Sequence, residues 1–145
     1  MNQFIGQKCS EAIAREFWLH GELVSNCCCI FLRFENDTLI KILYNDESHC
    51  WEAEESDEKI SLNNPLGDAE FFYPHKSISG LDNAGLIFNG YTEDHFRNWS
   101  LKFSGGLSLH LIHKQSTDET RYEVRIQQCA QIVRSAHWDR LKPAP

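Results

Sequence analysis

Three groups of residues in this 145-residue chain carry side chains able to do chemistry: six cysteines, seven histidines and a run of acids. The cysteines are Cys9, Cys27, Cys28, Cys29, Cys50 and Cys129. Structural zinc sites pair their ligands at short fixed spacing, with a matching pair elsewhere. Cys27 and Cys29 occupy alternate positions of a predicted strand and would share a face with His20 or His49, but no second pair stands at standard spacing. The triplet therefore reads as small core hydrophobes, and no metal site is expected. A Cys–His nucleophile needs a setting that stabilises the thiolate and a third group that orients the base. His49 and Cys50 are adjacent, so on a strand they face opposite ways, and carboxylates surround Cys50. His110 and His113 have opposite strand parity, and His20, His75, His95 and His137 are scattered. No Gly-x-Ser-x-Gly, P-loop or Gly-x-Gly-x-x-Gly occurs. No catalytic residue, enzymatic activity or cofactor is expected.

The acids are more telling. The formal charge is −7, from 14 Lys+Arg against 21 Asp+Glu. Residues 35–70 hold eleven Asp/Glu and only Lys41 and Lys59, a local net of −9. Such a surface repels a nucleic-acid backbone, which argues against a nucleic-acid partner. The densest part is Asp46, Glu47, Glu52, Glu54, Glu55, Asp57 and Glu58, with Trp51 among them. So many wet carboxylates share one environment, whereas acid/base catalysis needs two environments that separate the pKa values. An interface for a basic partner is the reading that uses them. Charge complementarity would steer such a partner in, and an outward Trp51 would anchor it, although an inward Trp51 suits the strand pattern.

The elements that would position these residues are mostly strands. Residues 9–19 suggest a short helix with Ser10 as N-cap, or an irregular lead-in, followed by a strand near Trp18–Val24. Cys27–Phe34 is apolar on both faces, as a central strand is, with Cys28, Ile30, Leu32 and Phe34 on one side and Cys29, Phe31 and Arg33 on the other. Glu35-Asn-Asp37 turns the chain, Thr38–Tyr44 returns, and Ser48–Glu54 forms a third strand with Trp51 inward. A short strand at 69–73 ends at Pro74, His75–Gly85 is connection, and Asn89-Gly90 is a turn. Trp99–Phe103, Ser104-Gly-Gly106 and Leu107–His113 form a hairpin that repeats the apolar–basic–Phe, turn, return pattern of Leu32–Ile42. Arg121–Ile126 is a strand with Tyr122, Val124 and Ile126 inward. Residues 127–141 extend it or form a short helix. The expected fold is mainly β, bordering on α+β: an antiparallel sheet or β-sandwich of six to eight strands with one or two short helices. Residues 1–141 form one domain and residues 142–145 a flexible tail.

With the hairpins at Phe31–Tyr44 and Trp99–His113 and the acids of Asp46–Glu58, about two-thirds of the chain resembles the immunity proteins of bacterial polymorphic-toxin and contact-dependent growth-inhibition systems. The resemblance implies an inhibitor that binds one cognate toxin domain, often a basic nuclease, and covers its active site or substrate groove without any cofactor. The partner-binding residues would be Asp46, Glu47, Trp51, Glu52, Glu54, Glu55, Asp57 and Glu58. The N-terminus lacks a signal-peptide pattern and no run approaches a membrane span, so a cytoplasmic protein without a membrane partner is expected. The competing reading is a small-ligand-binding or enzymatic β-domain with Trp51, Trp99 and a histidine in one pocket.

Overall fold

A computed structural model describes residues 1–81 and 85–126; the expectations for 127–141 and for the tail lie outside these. Strands make up 59% of the described residues and 3-10 turns 7%, which places the fold as mainly β. Among the described residues there are twelve strands rather than six to eight, and the helical content is three single 3-10 turns.

The chain runs β1 (Lys8–Cys9), β2 (Glu11–Leu19), β3 (Glu22–Arg33), β4 (Leu39–Asn45), β5 (Cys50–Glu55), β6 (Leu66–Gly67), β7 (Phe71–Tyr73), β8 (His75–Ser77), β9 (Leu86–Glu93), β10 (Trp99–Phe103), β11 (Leu107–Lys114) and β12 (Glu119–Ile126). One antiparallel sheet has the order β5-β4-β3-β2-β7-β6, with β8 also paired to β2; the other has the order β1-β9-β10-β11-β12. They share one core. Ala12, Ile30, Leu32, Phe34, Ile42 and Trp51 of the first sheet pack on Phe88, Trp99, Leu101, Phe103, Leu109 and Leu111 of the second. Phe4 stacks on Phe34 at 4.6 Å, and Phe34 and Phe103 each meet Phe88 with ring centres under 6 Å apart. These rings carry the contact across the two layers, where offset or edge-on aromatic pairs are favourable.

The expected helix over residues 9–19 is strand β2. Alanine, arginine and glutamate favour helices, but Ala12 and Ala14 face the shared core while Ile13 fills a second cluster, with Cys29, Phe31 and Leu39, on the outer face of the first sheet. Burial on both faces of a central strand outweighs a helix propensity of a few tenths of a kcal/mol per residue. Ser10 caps nothing. Its N–H donates to the Arg33 carbonyl at 2.8 Å and lies in line with the β2–β3 ladder.

Each half contributes a four-stranded meander, β2 to β5 and β9 to β12. In each, the second hairpin closes through a 3-10 turn with a left-handed central residue, Asn36 (φ 62) and Gly105 (φ 78). The strands that lead into the two meanders are exchanged. β1 precedes β2 but pairs with β9, whereas β8 precedes β9 but pairs with β2. The stretch expected as connection after Pro74 thus supplies a strand. Pro74 interrupts a line from Phe71 to Ser77 along β2, and its carbonyl accepts from Glu16 N–H at 2.8 Å. A residue without an N–H fits this edge position. Asn89 and Gly90 do not turn the chain. They lie inside β9 beside the register shift at Lys102/Phe103, and Gly90 supplies the φ of +121 that the bulge takes there.

A second bulge shapes β3. Arg15 pairs with Cys29 and Phe17 with Ser25, so one residue of β2 stands opposite three of β3. The face assignment of the cysteine triplet shifts as a result. Cys27, rather than Cys28, belongs to the inner core, while Cys28 and Cys29 line the outer face. The bent strand reaches β12 of the other sheet. The Asn26 amide donates to the Tyr122 carbonyl at 3.4 Å and accepts from Tyr122 N–H at 3.1 Å, Thr120 Oγ1 donates to the Cys27 carbonyl at 2.6 Å, and Ser25 Oγ donates to the Thr120 carbonyl. Tyr122 and Val124 pack inward as expected, but Ile126 is 52% exposed at the end of the strand.

Replacing Asn26 with Ala leaves both backbone groups of Tyr122 without their side-chain partner. The urea midpoint is expected to fall by the equivalent of about 1–2 kcal/mol. A midpoint equal to that of the wild type would show that this seam does not hold the two sheets together.

Candidate functional site

The acidic residues collect along one margin of the first sheet. β5 is its outermost strand and pairs with β4 through Lys41↔Glu54 and Leu43↔Glu52. Strand alternation sends Trp51 and Ala53 inward and Glu52 and Glu54 outward. Trp51 is 2% exposed and meets Tyr44 edge-on at 5.7 Å, so it is a core residue and not a partner anchor. The reason is parity: β5 has one face to bury, and Trp51 is the large apolar side chain on it.

Asp46 and Glu47 sit in the β4–β5 turn, whose shape comes from Asn45 Oδ1 accepting from the N–H groups of Glu47 (2.8 Å) and Ser48 (3.3 Å). Glu52 accepts from Asn45 Nδ2 and Ser48 Oγ, and these bonds hold its carboxyl below the usual range. Among the described residues, Asp46, Glu47, Glu52, Glu54, Glu55 and Asp57 are exposed and have no basic group within ion-pair distance.

Glu58 is different. It turns back over the outer face, where Oε1 accepts from Arg15 Nη2 at 2.8 Å and Oε2 meets Lys41 Nζ at 2.9 Å. The hydrogen bond from Arg15, then that from Lys41, pulls its pKa down to about 2. It is half-buried and committed inside the molecule, so it drops out of the partner-facing set. Both cations also lie over the Phe31 ring, at 5.0 and 5.8 Å. Arg15 Nε donates to His75 Nε2 at 3.0 Å, and burial, followed by the Arg15 charge, keeps His75 below its ordinary pKa.

Beside this clamp is a cleft of about 410 Å³ lined by Arg15, Cys28, Cys29, Lys41, Leu43 and Tyr73. Its thiols are not activated. Burial pushes Cys28 up to about 11 and raises Cys29, and Cys9 rises to about 12 for the same reason. The idea that Cys27 and Cys29 share a face also fails, because the bulge puts Cys27 in the inner core and Cys29 in the outer cluster.

The outer face of the second sheet carries a serine–histidine group. Ser100 Oγ lies 3.0 Å from His110 Nδ1, and Ser108 Oγ lies 3.0 Å from His110 Nε2. Burial, then the Arg125 charge, lowers the His110 pKa. Thr92, Trp99, Ser100, His110 and Arg125 line a cleft of about 360 Å³ here. Trp99 and a histidine thus do share a cleft, while Trp51 is elsewhere. The ring nitrogen that an orienting carboxylate would occupy is taken by the Ser108 hydroxyl. The group therefore lacks the third member that activates a serine nucleophile.

At one end of the sandwich the structure also brings Asp46 to His113 and Asp118, a grouping that sequence spacing did not join. His113 and Asp118 flank the short β11–β12 turn, but Asp46 arrives from a hairpin of the other sheet. No protein-family model, characterised protein or solved structure matches the chain. Among the described residues, no helix is long and apolar enough to cross a membrane.

The Glu58 clamp gives a defined pH response. Its folded pKa of about 2 lies below the ordinary 4.5, so its contribution is complete above pH 4.5 and is lost as pH falls towards 2. In urea titrations the wild type is expected to exceed Glu58→Gln in stability at neutral pH, with the gap closing across that window. Parallel profiles from pH 5 to 2 would mean that Arg15 and Lys41 do not stabilise the ionised carboxylate.

Proposed function

We propose that this chain is a non-catalytic inhibitor of the immunity type, which binds a basic toxin domain, a nuclease by class, through the acidic margin of its first sheet. The observation that carries the reading is the set of six exposed acids, Asp46, Glu47, Glu52, Glu54, Glu55 and Asp57, left without a basic partner along one strand and its flanking turns. Acids elsewhere are often paired internally, as Glu11 is with Arg33, Glu93 with Arg97 and Glu123 with Arg121 and Arg125. Unpaired like charges raise the free energy of the isolated protein, and a basic partner relieves that repulsion. The same field steers the partner over about 8–10 Å, the screening length at ordinary ionic strength. Occlusion of the partner's anion-binding groove needs no reacting group on this chain, in keeping with raised thiol pKa values and a His110 held between two serines.

A second reading, small-ligand binding, rests on the cleft where Trp99, Ser100, His110 and Arg125 converge. It would place the function on the opposite sheet and leave the acidic margin as solvated surface.

Co-expression with a toxin domain encoded beside this gene is expected to restore growth, and the purified pair to associate more slowly as salt rises. Reversing Glu52, Glu54 and Glu55 to Lys together should slow association at least tenfold, while Glu22→Lys, at the far end of β3, leaves it unchanged. An association rate insensitive both to the triple reversal and to salt would remove the acidic margin from the interface.

A further inference from the structure

We propose that Asp46, His113 and Asp118 form a binding site for one divalent transition-metal ion of the zinc class. One ligand atom from each residue, a carboxylate oxygen or a ring nitrogen, lies within 4.8 Å of the other two, and His113 Nε2 stands 2.9 Å from Asp118 Oδ1. An ion held at about 2.0–2.2 Å by nitrogen and oxygen donors separates its ligands by about 3–4.4 Å, so small side-chain rotations suffice.

The histidine is built for the role. Its side chain is only 7% exposed, and its ring stacks on Tyr44 at 3.7 Å with planes 8° apart. Its backbone N–H donates to Asn98 Oδ1 at 3.0 Å, which ties the end of β11 to the 94–98 loop. The stacked imidazole directs Nε2 at the Asp118 carboxylate. Asp118 ends its turn in the left-handed region (φ 52), and the Asx turn at Asn45 shapes the loop that carries Asp46. Both carboxylates are exposed and open to an entering ion.

The donor set selects the metal. One imidazole with two carboxylates suits zinc, cobalt, nickel or manganese better than calcium or magnesium, which take oxygen ligands alone. His49 and Gln115 line the same cavity of about 700 Å³. Two carboxylates balance the ion's charge. The Arg97 guanidinium, bonded to Glu93 and to the Ser48 carbonyl, is the nearby cation that opposes binding. An ordinary histidine–aspartate pair would need only His113 and Asp118; the convergence of Asp46 from the other sheet is what a pair leaves unexplained.

The test is calorimetric titration of the metal-free full chain with Zn²⁺, and absorption spectroscopy with Co²⁺. One ion per chain is expected, with a dissociation constant on the order of micromolar. Asp46→Asn and Asp118→Asn, each with its metal-free melting temperature compared with that of the wild type, should each weaken binding at least tenfold. The Co²⁺ complex should show ligand-field bands without a thiolate charge-transfer band. Absence of binding, wild-type affinity in both Asn variants, or a thiolate band that assigns the ion to cysteine would each overturn the site.

Discussion

The structure depends on how β3 bends between Ser25 and Cys29. A single antiparallel sheet with a regular β3 would leave β12 as an open edge. Two extra residues in β3 break the ladder with β2 and increase the local twist. The first half of β3 thereby reaches the second sheet, where Asn26 offers its side-chain amide to Tyr122 as a neighbouring strand would offer a peptide group. A hydrogen bond contributes about 1 kcal/mol net, and leaving the groups unpaired costs more, so the seam acts mainly by forbidding separation of the layers. An open strand edge is also a template for pairing with another chain, and this seam occupies that of β12 at Thr120 and Tyr122.

The same bend sorts the side chains that have reactive chemistry. Cys27 turns into the core. Cys28 and Cys29 turn out beside Arg15, which pairs with Glu58 instead of activating a thiol. Desolvation is the largest cause of every resolved thiol shift, and at Cys28 and Cys29 neighbouring cations oppose it without overcoming it. Buried sulfur here is packing material. Its abundance in the sequence is therefore a poor guide to function, whereas the exposed carboxylates, individually ordinary, gain meaning from having no internal partner.

What was legible in the sequence was local. The alternation of Trp99–His113, with its glycine turn, gave β10, β11 and the turn between them, and Trp51 among acids marked the inward face of β5. β2 was not legible. Its alanines favour a helix until Ile13 and Ala14 are both covered, and that covering comes from segments distant in the chain, Phe31 and Leu39 over Ile13 among them. Asn89-Gly90 carried a turn signal that a strand used for a bulge, since a left-handed glycine serves either purpose. The grouping of Asp46 with His113 and Asp118 was beyond spacing arguments altogether, because it joins hairpin ends from separate sheets. Glu58 was read with its neighbours as a free acid because Arg15, its partner, is 43 residues earlier in the chain.

The two meanders share a topology, and the places where they differ are the places that need a reason. β5 and β12 are corresponding last strands. β12 projects Arg121, Glu123 and Arg125, which satisfy one another, and Asn26 meets its other edge at Tyr122. β5 projects Glu52 and Glu54, which find no cation of their own, and among the described residues nothing but β4 pairs with it. Carboxylates do discourage edge-to-edge aggregation, and that alone would justify one or two of them. It does not account for Asp46, Glu47 and Asp57 on the adjoining segments, which lie outside the β4–β5 ladder. The two corresponding last strands thus differ: β12 is tied to the first sheet at Thr120 and Tyr122, whereas the acids of β5 have no cation within ion-pair distance among the described residues.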